Sequence, residues 1–373
     1  NIVDRIYIAR IPGCGTAALG AVGLCFPLIV ILSAFANLFG SGGAPLFSIY
    51  RGKKETEQAN RIMNTSFTMV CVSATFLMTI GLVFARPLLV LFGASADALV
   101  YAYPYMMLYL IGTLPSMIAV GMNPFINAQG YSLVGMCSVA IGAAANLLLD
   151  PLFIFVFGLG VQGAAVATVL SQLLSASFVL LFLTKRAELR VRFLRKAEFS
   201  QCSGYAKNIV SLGTSGFVMQ LTNSLVTICC NNVLSVTGGD IYISVMTIIS
   251  SVRQLVETPI YALTEGTSPI LSYNYGAKNR DRVKKAFRLL LTASLCYSTI
   301  LWAFIMLFPQ VFAVMFTSDS ALLGFTKSAL RIYCACLLLF GIQIACQMAF
   351  TSFGKAKASI AVAVTRKFIL LLP

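Results

Sequence analysis

Apolar residues run along this chain in long blocks, broken by short polar stretches that are mostly basic. The blocks at 17–37, 63–85 and 163–183 are each close to the roughly 20 residues that carry an α-helix across a bilayer. Eleven such segments follow one another, at about 1–9, 17–49, 62–85, 99–124, 131–157, 161–184, 207–235, 241–273, 286–308, 325–352 and 358–373, the first and last partial. Helices satisfy their own backbone in lipid, so the pattern predicts an all-α polytopic membrane protein.

The polar stretches alternate in charge. Those after segment 2 (Arg51, Lys53, Lys54, Arg61), segment 6 (Lys185 to Lys207), segment 8 (Lys278 to Arg288) and segment 10 (Lys355, Lys357) are basic, whereas the loops of opposite parity hold only Arg10, Arg86 and Lys327. Cytoplasmic loops collect Lys and Arg, which predicts even-numbered segments ending in the cytoplasm and a cytoplasmic N-terminus. This accounts for the formal net charge of +15 without nucleic acid, and the basic stretch between the halves is also suited to anionic headgroups.

Composition narrows the chemistry. Among 373 residues, 58% are hydrophobic, 10% are charged and none is His, which excludes imidazole-based catalysis and His-ligated zinc or haem. Most of the eleven Cys fall inside apolar runs without a CxxC pair, so they read as small membrane-helix residues. No phosphate-binding GxxxxGK[ST], acidic DDxxD, HExxH or GxSxG motif occurs, and no enzyme or cofactor is expected.

An internal repeat organises the whole. At an offset of 224, Pro45 meets Pro269, Ser48 meets Ser272, Gly52 meets Gly276 and Lys54 meets Lys278; without a gap, Phe84 meets Phe308, Tyr109 meets Tyr333 and Gly130 meets Gly354. One register held through helices and loops indicates duplication. An even number of spans per half predicts two six-helix bundles related by a pseudo-twofold along the membrane normal. The expected organisation is an N-terminal lobe at 1–184, a basic cytoplasmic linker at 185–206 and a C-terminal lobe at 207–373. By the same register, part of the first helix and the end of the second half lie outside this chain, from an intact design of twelve spans.

Ionisable residues inside a membrane are costly, so they mark candidate chemistry. Of the twelve acids, Asp4, Asp150, Glu257 and Glu265 fall within the apolar segments. Asn146 precedes Asp150 by four residues, which puts amide and carboxylate on one helical face, and Thr168 on the next segment offers a hydroxyl. Carboxylates, amide and hydroxyl make an all-oxygen set suited to Na⁺ or to a proton. The alternatives are that Asp4 pairs with Arg5 and that Asp150 serves a helix break before Pro151. Arg253 and Glu257 stand i, i+4, the spacing of an intrahelical ion pair, and Glu265 lies beside Gly266, facing either a cavity or the interface. Arg5 and Arg253 are the only candidate core cations, so the interior is expected to suit cationic ligands. Met106, Met107, Tyr109 and Phe217 are candidates to line an adaptable cavity or simply to pack.

The stretches VDRIYIAR (3–10), LFGSGGAPLFS (38–48), NLLLDPLFIFVFGLGVQGAAVAT (146–168) and PILSYNYGAKNRDRVKKA (269–286) resemble the multidrug and toxic compound extrusion (MATE) transporters, particularly the bacterial DinF- and MepA-like types. The resemblance covers essentially the whole chain. It implies a twelve-helix fold of two lobes around a cleft, alternating access, location in the bacterial inner membrane, and export of small organic cations by a monomer in exchange for Na⁺ or H⁺. It further implies a coupling-cation site at Asp4, Asn146, Asp150 and Thr168, with Glu265, Glu257 and Arg253 as candidate cleft contacts. Relatives often carry Gln where Glu265 stands in EGTSPI, which implies a different local charge here. The alternative within the wider superfamily is a flippase for lipid-linked precursors, whose anionic cargo calls for more central Arg than Arg5 and Arg253.

Overall fold

The computed structural model describes residues 7–8, 11, 15–92, 94, 96–194, 199–314 and 320–365; within these, 15–21, 97, 199–201, 223–225, 227–244, 247 and 320–322 are described by backbone alone. Described residues are helical, apart from short turns and a non-helical stretch at 187–194. The helices are α1 (Gly15–Gly52), α2 (Thr56–Leu91), α3 (Ala96–Ile111), α4 (Thr113–Ala128), α5 (Ser132–Pro151) and α6 (Gly160–Leu181). They continue as α7 (Phe199–Gly276), α8 (Arg280–Leu307), α9 (Pro309–Val314), α10 (Ser320–Tyr333), α11 (Leu337–Ser352) and α12 (Ala356–Val364). Single π turns, Leu152–Val156 and Phe182–Arg186, extend α5 and α6.

Among the described residues, five stretches are long and apolar enough to cross a membrane: Val22–Gly52, Thr56–Leu91, Ser132–Val156, Gly160–Arg186 and Arg280–Leu307. On α2, Thr65, Thr68, Thr75 and Thr79 each donate to the carbonyl four residues back, at 2.7 to 2.9 Å, which satisfies the donors of the exposed Thr75 and Thr79 on the outer face.

Two further spans are broken, and the breaks obey the repeat. Ala98–Ile111 and Thr113–Ala128 meet at 54°, and Leu323–Tyr333 and Leu337–Ser352 meet at 48°. Thr113 and Leu337, which start the second arms, are 224 apart, as are Ala128 and Ser352, which end them. Segments 4 and 10, continuous in apolar pattern, are therefore each two helices. Lys54 (φ 64°) and Lys278 (φ 57°), the non-glycine residues described in the left-handed region, are also repeat mates, as are Gly130 (φ 92°) and Gly354 (φ 70°). The two halves turn in the same way at the same places.

One expectation changes form. Segments 7 and 8 are expected to be separated near Gly238–Gly239–Asp240, but α7 is helical through all its 78 residues. A straight helix that long measures about 117 Å, several times a bilayer core, so α7 holds the material of two spans. Gly-Gly-Asp reads as a turn locally, yet its backbone keeps helical bonding here.

Packing groups the residues into two units: Asn1–Phe47 with Glu55–Leu221, and Ser48–Lys54 with Thr222–Pro373. Residues 207–221, expected in the C-terminal lobe, are thus grouped with the first unit, and the end of α1 with the second. Glycine explains both. In the first unit, a Cβ on Gly42 would strike the Ile209 carbonyl oxygen, and one on Gly213 that of Leu38, so α1 and the start of α7 touch backbone to backbone. In the second unit, a Cβ on Gly52 would strike the carbonyl oxygen of Tyr273, and one on Gly276 that of Ile49. Ile49 and Tyr273 are repeat mates, so this contact is reciprocal. Small residues let membrane helices approach closely, and here they decide which helix ends belong together.

The second unit has its own apolar core of Val252, Val256, Ile260, Ile305, Phe312, Leu330 and Ile344, with Trp302 packed against it. Trp302 donates its indole N–H to the Ala335 carbonyl at 2.8 Å, at the break between α10 and α11.

Candidate functional site

Asp150 is fully buried at the end of α5, where the π turn begins. Asn146, one turn earlier, donates from Nδ2 to Asp150 Oδ1 at 3.1 Å. The predicted pair is therefore formed.

The α5–α6 interface is built from small residues, which fixes its register. A Cβ on Gly142 would lie 3.3 Å from Ser175 Cβ, and one on Gly163 would lie 2.6 Å from the Phe153 carbonyl oxygen. Ser175 also donates to the Ser138 carbonyl at 2.9 Å. In an antiparallel pair these contacts set Asp150 level with about residue 166, some 3 Å along the axis from Thr168. Thr168 is buried and donates to the Ala164 carbonyl at 2.9 Å. Asp150 and Thr168 thus stand at about the same depth along the α5–α6 pair. Asp4 and Arg5 lie outside the described residues. Tyr7, three residues after Asp4, meets Phe155 edge to face at 6.3 Å, which ties the first segment to the π turn below Asp150.

The polar character of this interface extends further than the predicted set. Gln172, one turn from Thr168, donates to the Tyr109 hydroxyl at 3.4 Å, and its own Oε1 is buried without a partner among the described residues. Asn123 donates to Ser138 Oγ at 2.6 Å and to the Gly135 carbonyl at 2.9 Å. The available signal was an amide inside an apolar run, four residues from Thr168. The partners that make it a network come from other helices. Met106 and Tyr109 are buried, and Phe217 packs edge to face on Phe35 at 5.1 Å, so these three are packing residues here.

In the second half, Arg253 and Glu257 do form the expected i, i+4 ion pair, at 3.5 Å, with side chains 33% and 14% exposed. Glu265 is exposed and has no hydrogen bond or ion pair among the described residues, while its neighbour Thr264 is buried and bonds within its helix. None of these positions has a charged counterpart in the other half: the mates of Arg253, Glu257 and Glu265 are Ile29, Ser33 and Ser41, and that of Asp4 is Ile228.

Comparison with known proteins gives a consistent family. The model of the MatE family matches residues 1–152 and, separately, 216–373. Over the whole chain, the protein is 27% identical to a FAD transporter of Shewanella oneidensis, covering 82% of that relative. It is 22% identical to the multidrug export protein MepA of Staphylococcus haemolyticus, over 95% of this chain and 77% of the relative. Among solved structures, a MATE transporter in the bent conformation superposes with a TM-score of 0.91 at 25% identity, covering 99% of this chain and 81% of that one. An outward-facing multidrug resistance MATE family transporter gives 0.90 at the same identity.

Proposed function

The chain belongs to the MatE family, as a multi-pass membrane transporter and not an enzyme, and from that premise we propose that it is a cation-coupled antiporter exporting small organic cations by alternating access. The observation that carries the coupling is the Asn146–Asp150 pair at the α5–α6 interface. A carboxylate buried there is stable when a cation or a proton offsets its charge, since an uncompensated charge in low dielectric costs several kcal/mol. Occupancy by Na⁺ or H⁺ therefore alters how α5, α6 and the first segment pack, and this is the means by which an ion gradient works on the transport cycle. Asp4 and Thr168 complete the proposed site.

For the exported substrate, the second half supplies the charge argument. Arg253 is neutralised by Glu257, whereas Glu265 is exposed without a described partner, so the acids outnumber the available cations. This favours positive ligands and does not favour a flippase for anionic lipid precursors. A second reading has its own support: one relative is named as a transporter of FAD, an anionic dinucleotide.

Everted vesicles containing the full-length protein, with Na⁺ and pH gradients imposed separately, test both readings. Uptake of ethidium driven by one gradient is the expected result; gradient-driven uptake of FAD alone would establish the second reading. In the proposed topology the linker is cytoplasmic and the membrane is the bacterial inner membrane. An epitope in residues 198–204 should accordingly bind antibody in everted but not right-side-out vesicles.

A further inference from the structure

After α6 the chain does not run out into solvent. It leaves the π turn Phe182–Arg186 in extended conformation at Ala187 (φ −67°, ψ 149°) and folds back, with the Val191 N–H donating to the Leu183 carbonyl at 3.0 Å. Residue 191 therefore lies at the level of residue 183, inside the last turn of a membrane span. Two buried amides hold the segment there. Gln129 pairs with Leu189 as a strand would, donating to its carbonyl at 3.2 Å and accepting its N–H at 3.0 Å, and Asn64 Oδ1 accepts the Arg192 N–H at 2.9 Å.

The strap alternates. Ala187 and Val191 are buried against the protein, while Glu188, Arg190 and Arg192 are exposed on its outer side, next to exposed Lys185 and Arg186. Phe193, 62% exposed, meets Phe67 with ring centroids 4.8 Å apart and the rings tilted by 50°. Phe67 is six residues past Arg61 on α2, about 9 Å into the apolar run. An exposed aromatic at that depth, flanked by cations, is the composition of a membrane interface rather than of a surface in free solution.

We infer that the strap 185–193 is a lipid-binding edge that recognises anionic phospholipid headgroups through Lys185, Arg186 and Arg190, with Phe193 set among the acyl carbonyls. Among the described residues of the strap, Glu188 is the opposing charge. Because Gln129 and Asn64 pin the backbone, the cations are held at headgroup depth in advance, and each is worth roughly fivefold in affinity for an anionic surface.

The test is retention of lipid by the purified full-length protein in detergent, read by native mass spectrometry with phosphatidylglycerol or phosphatidylcholine added. Wild type should retain phosphatidylglycerol over phosphatidylcholine. Arg186→Gln/Arg190→Gln should weaken that retention about tenfold or more. Arg186→Lys/Arg190→Lys should keep it, which separates charge from folding, and Lys284→Gln/Lys285→Gln on α8 should also keep it. Equal retention of the two lipids, or unchanged retention in the Gln pair, overturns the inference. Equal loss in the α8 pair would show a general effect of positive charge and overturn it too. Displacement of the lipid by millimolar inorganic phosphate would identify a free-phosphate site instead of a lipid edge.

Discussion

The two halves of the molecule share their backbone devices and differ in their charges. Lys54 and Lys278 turn left-handed at matched positions, Gly130 and Gly354 do likewise, the fourth and tenth spans break at matched positions, and Gly52 and Gly276 make one reciprocal contact. Yet the buried Asp150 pairs with Asn146, whose repeat mate is Leu370, and the intramembrane acids Glu257 and Glu265 have Ser33 and Ser41 as mates. Duplication preserved what the backbone needs, because a left-handed turn or a glycine contact tolerates few residues. It left free what the backbone does not need. Charge could therefore diverge, which fits the proposal that one half binds the ion while the other selects the substrate.

Four experiments break or sharpen that comparison. The largest effect is expected where the halves are most alike: Gly52→Leu and Gly276→Leu each drive a side chain into a backbone carbonyl of the partner helix. Each should cost about 3 kcal/mol or more, read as loss of the folded peak in fluorescence-detected size exclusion. If only one of the two fails, the contact is not reciprocal in function.

Next comes Asp150→Asn, which keeps volume and hydrogen bonding but removes the titratable charge. Gradient-driven efflux should fall to background at near-normal expression. Asp4→Asn should match it, with the double variant no worse than either single if the two acids serve one site. Normal coupled efflux in Asp150→Asn would remove the first half from the ion chemistry.

Glu265→Gln should have a smaller and selective effect. Losing one charged partner weakens organic cations by about 1 to 2 kcal/mol, roughly tenfold, while a neutral substrate is unchanged. Equal effects on both substrates would place Glu265 outside the substrate site.

The smallest effect tests the shared backbone again. A non-glycine residue in left-handed conformation costs about 1 to 2 kcal/mol, partly offset by the greater freedom of glycine in the unfolded chain. Lys54→Gly and Lys278→Gly should thus each stabilise by about 0.5 to 1 kcal/mol, measured as a small rise in unfolding temperature. A stabilisation at one position only would mean the two turns carry different loads.

Much of this was legible without coordinates. Long apolar runs mark spans because lipid demands helices of a set length, so the boundaries of segments 2, 3, 5, 6 and 9 agree with α1, α2, α5, α6 and α8 to within six residues. The repeat was readable because identities at one offset need no knowledge of contacts, and the Asn146–Asp150 pair because a spacing of four on a helix is a local fact. The breaks near residues 112 and 336 were not legible, since an apolar run has the same composition whether straight or bent at 54°; its shape is set by what packs around it. Nor were the joining of Gln172 to Tyr109, the clamp of Gln129 on the strap, or the grouping of residues 207–221 with the first unit. Each of these is a meeting of residues far apart in the chain. Sequence by itself therefore determined the helices, their repeat and the identities of the acids, all of which depend on neighbours along the chain. Tertiary structure alone decided which polar groups face one another, because in a bundle of apolar helices that depends on rotation and register between helices, set by close contacts such as Gly42 with Ile209 and Gly52 with Tyr273.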